Sequence, residues 1–291
     1  MEKSLRELIY EARKKNVAIG HFNVSNLEAV HAIVSAATKL QVPVILGVTE
    51  SEEKFFGLEE IVAVVKVLKE KSNIPIYLNA DHHYSFESVQ KALDAGFDMA
   101  IIDQAHENYE KNIETTKKCV EYAKTIKEKT GKDVLIEAEL GFIGQSSKIL
   151  ESIPEGVSLD TMTKPDIALE FVEKTGIDLL APSVGNIHGM VKSGEPNLHP
   201  DVVKQISDAT GLPLVLHGAS GNTDSDIQEC IKNGVAIVHI NTEIRVAFKE
   251  GLIDSLKNTT EIAPYKYLPE AVSAIEEVVL KKLKVFNFIN Q

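Results

Sequence analysis

The sequence predicts a (β/α)8 barrel. Three observations carry the prediction: eight short apolar runs rich in Val and Ile, helical periodicity between them, and a glycine stop after most of the helical stretches. Strands buried on both faces of a parallel sheet need such runs, and strand–helix alternation over about 250 residues is the mark of a barrel. The runs lie at 17–23, 42–49, 74–80, 99–103, 134–139, 179–183, 214–217 and 236–240. An open doubly wound sheet has a similar count. No G-x-G-x-x-G follows the first run, however, and no linker divides the chain, so one barrel domain over residues 1–291 is expected.

The chain opens on MEKSLRELIYEARKKN, a charged amphipathic helix with no uninterrupted apolar stretch of the kind a signal peptide needs. Helical spacing follows at 27–40 and at 58–71, the latter stopped by Asn73 and Pro75. The stretch 85–95 ends at Gly96 and 109–129 ends at Gly131. Pro165 opens 164–175, which Gly176 closes, and 200–210 ends at Gly211. Thr223 and Asp226 open 223–233 in a capping pattern, and Gly234 closes it. The stretch 244–256 follows the last strand, and an extra helix at 269–284 is a candidate contact with a second copy. The segment 141–163 is irregular, with Pro154 and Gly156 near its middle, and is expected to be either a functional lid or disordered.

Lys plus Arg total 31 against 43 Asp plus Glu, a formal net charge of −12. Such a chain is a poor general binder of nucleic acid or of anionic membranes. No apolar run approaches the roughly 18 residues a membrane span needs. Two cysteines, Cys119 and Cys230, argue against a disulfide framework or a Cys-rich zinc module and fit a reducing cytoplasm.

Barrel chemistry sits at the C-terminal ends of the strands. Here those ends carry Asn23, Thr49, Asp103 and Glu139, and seven of the nine histidines: His21, His82, His83, His106, His188, His217 and His239. His31 and His199 read as helix or loop surface residues. Three imidazoles from different strands, beside carboxylates, have the composition of a catalytic zinc site with an open position, although residue type does not choose three among seven. Glycines follow His188 and His217, as Gly189 and as Gly218–Ala219–Ser220. Glycine turns before a helix let amides approach an anion, and Ser220 or Asn222 also suits a helix cap. A barrel phosphate site is often built after the last two strands, where His239, Asn241, Thr242 and Arg245 lie.

In register, these segments resemble the class II, zinc-dependent ketose-bisphosphate aldolases, the fructose- and tagatose-bisphosphate enzymes. The motifs are N-A-D-H-H at 79–83, D-x-x-H-E at 103–107, E-A-E-L-G at 137–141, G-N-I-H-G at 185–189, L-H-G-A-S at 216–220 and I-N-T-E-I-R at 240–245, covering nearly the whole chain. The resemblance implies His82, His188 and His217 as zinc ligands and Asp81 as the acid/base on the aldehyde side. It implies Asp103 and Glu139 at a second or alternative position, for a second divalent or a monovalent cation. It places Asn23 near the ketose hydroxyls. Gly189, Gly218, Ala219, Ser220 and Thr242 would be phosphate contacts, with His239, Asn241 and Arg245 beside them. The implied reaction is reversible cleavage of a ketose 1,6-bisphosphate, fructose 1,6-bisphosphate first and the tagatose isomer as alternative, to dihydroxyacetone phosphate and glyceraldehyde 3-phosphate. A homodimer or homotetramer is the implied assembly.

Three departures from the family pattern stand out. Many members have a Glu-Asp pair after the fifth strand, whose glutamate abstracts the carbon proton. Here the segment reads GFIGQSSKILESIPEG, with Glu151 and Glu155 as the nearest acids. His239 stands where asparagine is usual, and Thr49 where serine is common. Three rival functions are a Schiff-base aldolase, which needs a strand-end lysine that none of the eight runs supplies, a metal phosphohydrolase, and a sugar-phosphate-binding barrel with impaired catalysis.

Overall fold

The computed structural model describes residues 3–144, 148–153, 159–192 and 197–289. Eight parallel strands close into a barrel: β1 (Ile19–Asn23), β2 (Val44–Thr49), β3 (Ile76–His83), β4 (Met99–Ile102), β5 (Leu135–Leu140), β7 (Leu179–Pro182), β9 (Leu214–Leu216) and β10 (Val235–Ile240). The ring shuts where β1 pairs with β10, Ile19 opposite Ile237. Two short strands, β6 (Ile149–Leu150) and β8 (Met190–Val191), form a separate parallel pair.

The helices of the barrel wall are α2 (Leu27–Leu40), α4 (Leu58–Lys71), α5 (Phe86–Ala95), α6 (Tyr109–Thr130), α7 (Pro165–Thr175), α8 (Pro200–Thr210), α9 (Asp224–Lys232) and α10 (Thr242–Asn258). Added to them are α1 (Leu5–Lys14), α3 (Glu50–Phe56), α11 (Pro264–Tyr267) and α12 (Pro269–Phe286). The eight-strand barrel follows the expectation, with shifts at element ends. Strand β3 runs three residues past position 80, through Asp81, His82 and His83. Helix α3 was not legible from periodicity, because its sequence ESEEKFF is mostly charged. A capping box starts it, with Thr49 Oγ1 accepting from Glu52 N–H and the Glu52 carboxylate accepting in return. Part of the irregular segment 141–163 is ordered as β6, and its pairing with β8 ties the loop after β5 to the loop after β7.

Side chains alternate along each strand, so the barrel separates two apolar sets. Phe22, Leu46, Leu78, Ile136, Leu180, Leu216 and Val238 face outward into the helical shell. Ile19, Ile45, Met99, Leu135, Leu179, Val215 and Ile237 face inward and meet Leu5, Ile9 and Ala12 of α1, which plugs the lower mouth. Each such side chain contributes about 1.5–3 kcal/mol on burial. Arg6 fastens the plug, 2.7 Å from both Asp133 and Asp178. Two residues further along the strands, the inward positions turn polar: His21, Asn79, Glu137, His217 and His239, all buried. Above them come Asn23, Asp81, Asp103, Glu139 and Ser183.

Helix α12 packs on α2, α10 and β1 and buries Ala271, Ile275, Val279, Leu283 and Phe286. Its apolar face is therefore used within the chain, not held out for a second copy. No helix among the described residues is long and apolar enough to cross a membrane.

Candidate active site

The polar layers open into a cavity of about 580 Å³ at the C-terminal rim. Among the residues lining it are Asn23, Asp81, His82, Asp103, Glu139, His188, Gly189, Gly218, Ser220, His239, Asn241, Thr242 and Arg245. Asp81 and His82 are consecutive in β3, and regular pleating would send them to opposite faces. Between the pairs Ala80–Ala100 and His83–Ile102, β3 advances three residues while β4 advances two. This bulge, with His82 at φ 45°, brings both side chains into the cavity. A non-glycine residue in that region is strained, a condition often found at functional sites.

His82 Nε2 lies 3.0 Å from His217 Nδ1, and the two rings are nearly perpendicular at 88°. Glu139 Oε2 is 3.9 Å from both His217 Nδ1 and His188 Nε2. Donor atoms of His82, Glu139, His188 and His217 all lie within 4.8 Å of one another. Tetrahedral zinc, with ligand distances of about 2.0–2.2 Å, needs donors spaced by about 3.3–3.6 Å, so the set is of the right size. Glu139 Oε2 and His188 Nε2 are buried with no hydrogen-bond partner among the described residues. Orphaned buried polar atoms facing one another are costly unless something joins them. Three imidazoles and one carboxylate are ligands suited to zinc.

Two of the three imidazoles of the group are held from behind by carboxylates. His82 Nδ1 is 2.9 Å from Asp103 Oδ2, and His217 Nε2 is 2.8 Å from Glu137 Oε1. Such partners fix the tautomer and aim the other nitrogen at a metal. Asp103 thus stands behind His82 and outside the four-donor group. The backbone of His217 is also fastened, its carbonyl accepting from Asn186 Nδ2 at 2.9 Å. The loop bearing His188 is set by its own N–H, which donates to Ile143 O at 2.9 Å, and by the β6–β8 pair.

Asp81 is 2% exposed. Its Oδ2 accepts from Asn23 Nδ2 at 2.8 Å, while Oδ1 is 3.5 Å from His239 Nδ1 and 3.9 Å from His82 Nε2. Burial acts to raise its pKa, but His82, His239 and His21 together hold it well below the usual carboxylate range. His239 lies between two other rings, 3.5 Å from His21 and 4.1 Å from His217 between centroids. His21 is fully buried in the layer beneath, its Nε2 3.0 Å from Asn79 Nδ2. His83 turns away from the cavity to Glu53 of α3, at 3.1 Å, and His106 is an exposed rim residue.

The glycine turns lie beside this cluster. Gly218 has φ 58°, and a Cβ there would stand 2.3 Å from Ile187 O, so the turn after β9 and the loop after β7 touch backbone to backbone. Ala219 and Ser220 are buried in that turn. Asn222, whose Nδ2 donates to Gly218 O, braces it, while Thr223 caps α9. Thr242 is the buried first residue of α10. Arg245 lines the cavity, its Nη2 2.6 Å from Glu52 Oε1. Glu151, one of the two nearest loop acids, is a solvated surface acid with its carboxylate 2.5 Å from Lys192 Nζ, outside the cavity lining. Glu155 lies outside the described residues.

Two site residues escaped the sequence reading. Glu137 had a signal in the alternation E-A-E, since residues two apart on a strand share a face. Glu52 had one in T-E-S-E, a capping box at 49–52.

A family model described as fructose-bisphosphate aldolase class-II matches residues 3–291. A fructose-bisphosphate aldolase of Staphylococcus aureus is 40% identical over 292 residues, spanning 99% of this chain and 98% of that protein. The Staphylococcus epidermidis enzyme of the same name is 38% identical over the same shares. The crystal structure of the YdjI aldolase from Escherichia coli K12 superposes with a TM-score of 0.82 at 32% identity, covering 98% of this chain and 97% of that one. The chain belongs to the class II fructose-bisphosphate aldolases, a family of zinc-dependent lyases.

Proposed function

We propose that this chain binds zinc through His82, His188, His217 and Glu139 and cleaves a ketose 1,6-bisphosphate, fructose 1,6-bisphosphate first, to dihydroxyacetone phosphate and glyceraldehyde 3-phosphate. The observation that carries this is the four-donor group with Asp81 beside it, 3.9 Å from His82 Nε2. Zinc held there supplies a Lewis acid that polarises the ketone. Asp81 accepts the proton of the C4 hydroxyl as the C3–C4 bond breaks. The electron pair of that bond stays on C3 of the dihydroxyacetone phosphate half, which takes a proton from solvent to complete that product. Asn23 aims Asp81 through its 2.8 Å bond. The turns at Gly189 and Gly218–Ser220, the start of α10 at Thr242, and Arg245 hold phosphate with amides, helix dipole and charge, positioning the bond to be broken. His239 and Asn241 line the same wall.

One barrel domain over residues 1–291 suffices, because every proposed group comes from one rim. A reducing cytoplasm suits the two free, buried cysteines, Cys119 and Cys230. Exposed Leu256, Ile262 and Tyr265 support a homo-oligomer, a dimer or tetramer, whose mass in solution tests it.

The test of function is cleavage of fructose 1,6-bisphosphate before and after chelation. Activity lost with the metal and restored by zinc is expected. Cleavage that survives complete metal removal rejects the proposal.

A further inference from the structure

Lys282, near the end of α12, is 4% exposed, far from any role in the proposed chemistry. Its Nζ lies 3.0 Å from Glu243 Oε1 and 3.8 Å from Asp224 Oδ1. Lys281 Nζ reaches the other Asp224 oxygen at 3.5 Å, so two ammonium groups face two carboxylates. Glu243 Oε1 also accepts from the N–H of Gly221 at 2.9 Å. Glu243 follows Thr242 at the start of α10, and Gly221 follows Ser220 in the turn after β9. One carboxylate oxygen therefore ties together the two halves of the proposed phosphate site.

The tie alone does not require a buried cation, since a neutral amide at position 243 would accept the same bond from Gly221. A carboxylate adjoining both anion-binding segments repels an incoming phosphate. Burying an ammonium is costly unless it is paired, and here the pairing places its charge on that carboxylate.

We propose that Lys282 is a positioning residue of the phosphate site: through Glu243 it fastens the turn after β9 to the start of α10 and cancels the carboxylate charge, so that both segments stay attractive to phosphate. This rests on the phosphate assignment made above. A purely structural role, exerted through the Lys282–Glu243 pair, predicts that breaking the pair from either side weakens binding alike. Charge cancellation predicts opposite signs.

The experiment is calorimetric titration of the zinc-loaded protein with inorganic phosphate and with dihydroxyacetone phosphate, for Lys282→Met, Glu243→Gln and the double variant. Zinc content and thermal midpoint serve as controls. Lys282→Met is expected to weaken both ligands about tenfold, Glu243→Gln to bind at least as tightly as the unaltered protein, and the double variant to return to within about threefold of it. Affinity in Lys282→Met within twofold of the unaltered protein overturns the proposal, as does an equal loss in Glu243→Gln. Should Lys282→Met not fold, Lys282→Arg and Glu243→Gln decide, because both must keep phosphate affinity. An unaltered protein that binds neither ligand rejects the phosphate site itself, and this proposal with it.

Discussion

His217 Nε2 lies 2.8 Å from Glu137 Oε1, and both side chains are fully buried. The other ring nitrogen of His217 faces the four-donor group, so Glu137 decides which nitrogen is offered to zinc. Burial and the nearby charge of Asp81 push the Glu137 carboxyl well above its usual range, with His82 acting to lower it. Partners of this kind contribute about 10- to 100-fold to metal affinity. Glu137→Gln keeps an acceptor and is expected to weaken zinc about tenfold, whereas Glu137→Ala removes it and approaches a hundredfold. Competition with a chromophoric chelator measures both. Unchanged affinity in Glu137→Ala would show that packing alone orients His217.

Asp81 is adjacent to His82, a proposed zinc ligand, without belonging to the four-donor group, so its removal separates chemistry from metal binding. Asp81→Ala is expected to lower kcat for fructose 1,6-bisphosphate by about 10²–10⁴, the usual contribution of a positioned acid or base. Zinc stoichiometry should stay at that of the unaltered protein. Near-normal turnover in this variant would reject Asp81 as the proton acceptor.

The histidines also predict a proton count. Burial lowers the pKa of His82, but Asp81, the bond to Asp103 and Glu139 outweigh it and raise the group to about 10. Burial and the charge of His82 drive His188 down to about 3. At pH 7 these charges leave His82 protonated and His188 neutral. Zinc ligands must be neutral imidazole or carboxylate, so zinc uptake at pH 7 is expected to release at least one proton, from His82 and in addition from Glu139. Burial and Asp103 push the Glu139 carboxyl well above its usual range. Affinity then rises with pH up to the pKa of His82, by about tenfold per unit if one proton is displaced. Titration calorimetry in two buffers of different ionisation enthalpy gives the count. Zero release would mean that His82 is already neutral before zinc arrives.

The barrel was legible because each strand is an apolar run and most of the barrel helices have their own stop, and these signals are local. The histidine cluster was legible because strand ends in a barrel share one rim. What the sequence did not disclose depends on pairing across the barrel. That Asp81 and His82 both point inward follows from the β3–β4 bulge, and nothing in N-A-D-H-H announces a bulge. His21, His82 and His83 look alike as strand-end residues, yet one lies in the layer below, one faces the cavity and one turns to Glu53. Helix α3 went unseen for a related reason: its stability comes from a cap and from where Glu52 points, not from an apolar stripe.

Glu52 supplies the last prediction. Its Oε1 takes Arg245 Nη2 at 2.6 Å, while Oε2 accepts from Asn23 Nδ2 at 3.0 Å, from Thr49 N–H at 3.0 Å and from Thr49 Oγ1 at 3.1 Å. Asn23 Nδ2 also holds Asp81, so Arg245 and the proposed acid/base are linked through one buried carboxylate. Gln has a single acceptor oxygen, and the three donors at Oε2 outnumber the one at Oε1. Glu52→Gln should therefore keep Asn23 and Thr49 and turn its amide against Arg245. The expected result is a rise in KM for fructose 1,6-bisphosphate of about three- to tenfold with little change in kcat, since a half-exposed ion pair is screened by solvent. Glu52→Ala also frees Asn23, so Asp81 loses its aim and kcat falls as well. The loss of a buried acceptor should lower stability by about 1–3 kcal/mol. Steady-state kinetics and denaturant unfolding of the two variants separate these effects. If Glu52→Ala leaves kcat untouched, Asn23 orients Asp81 without help from Glu52, and the link from Arg245 to the acid/base is only spatial.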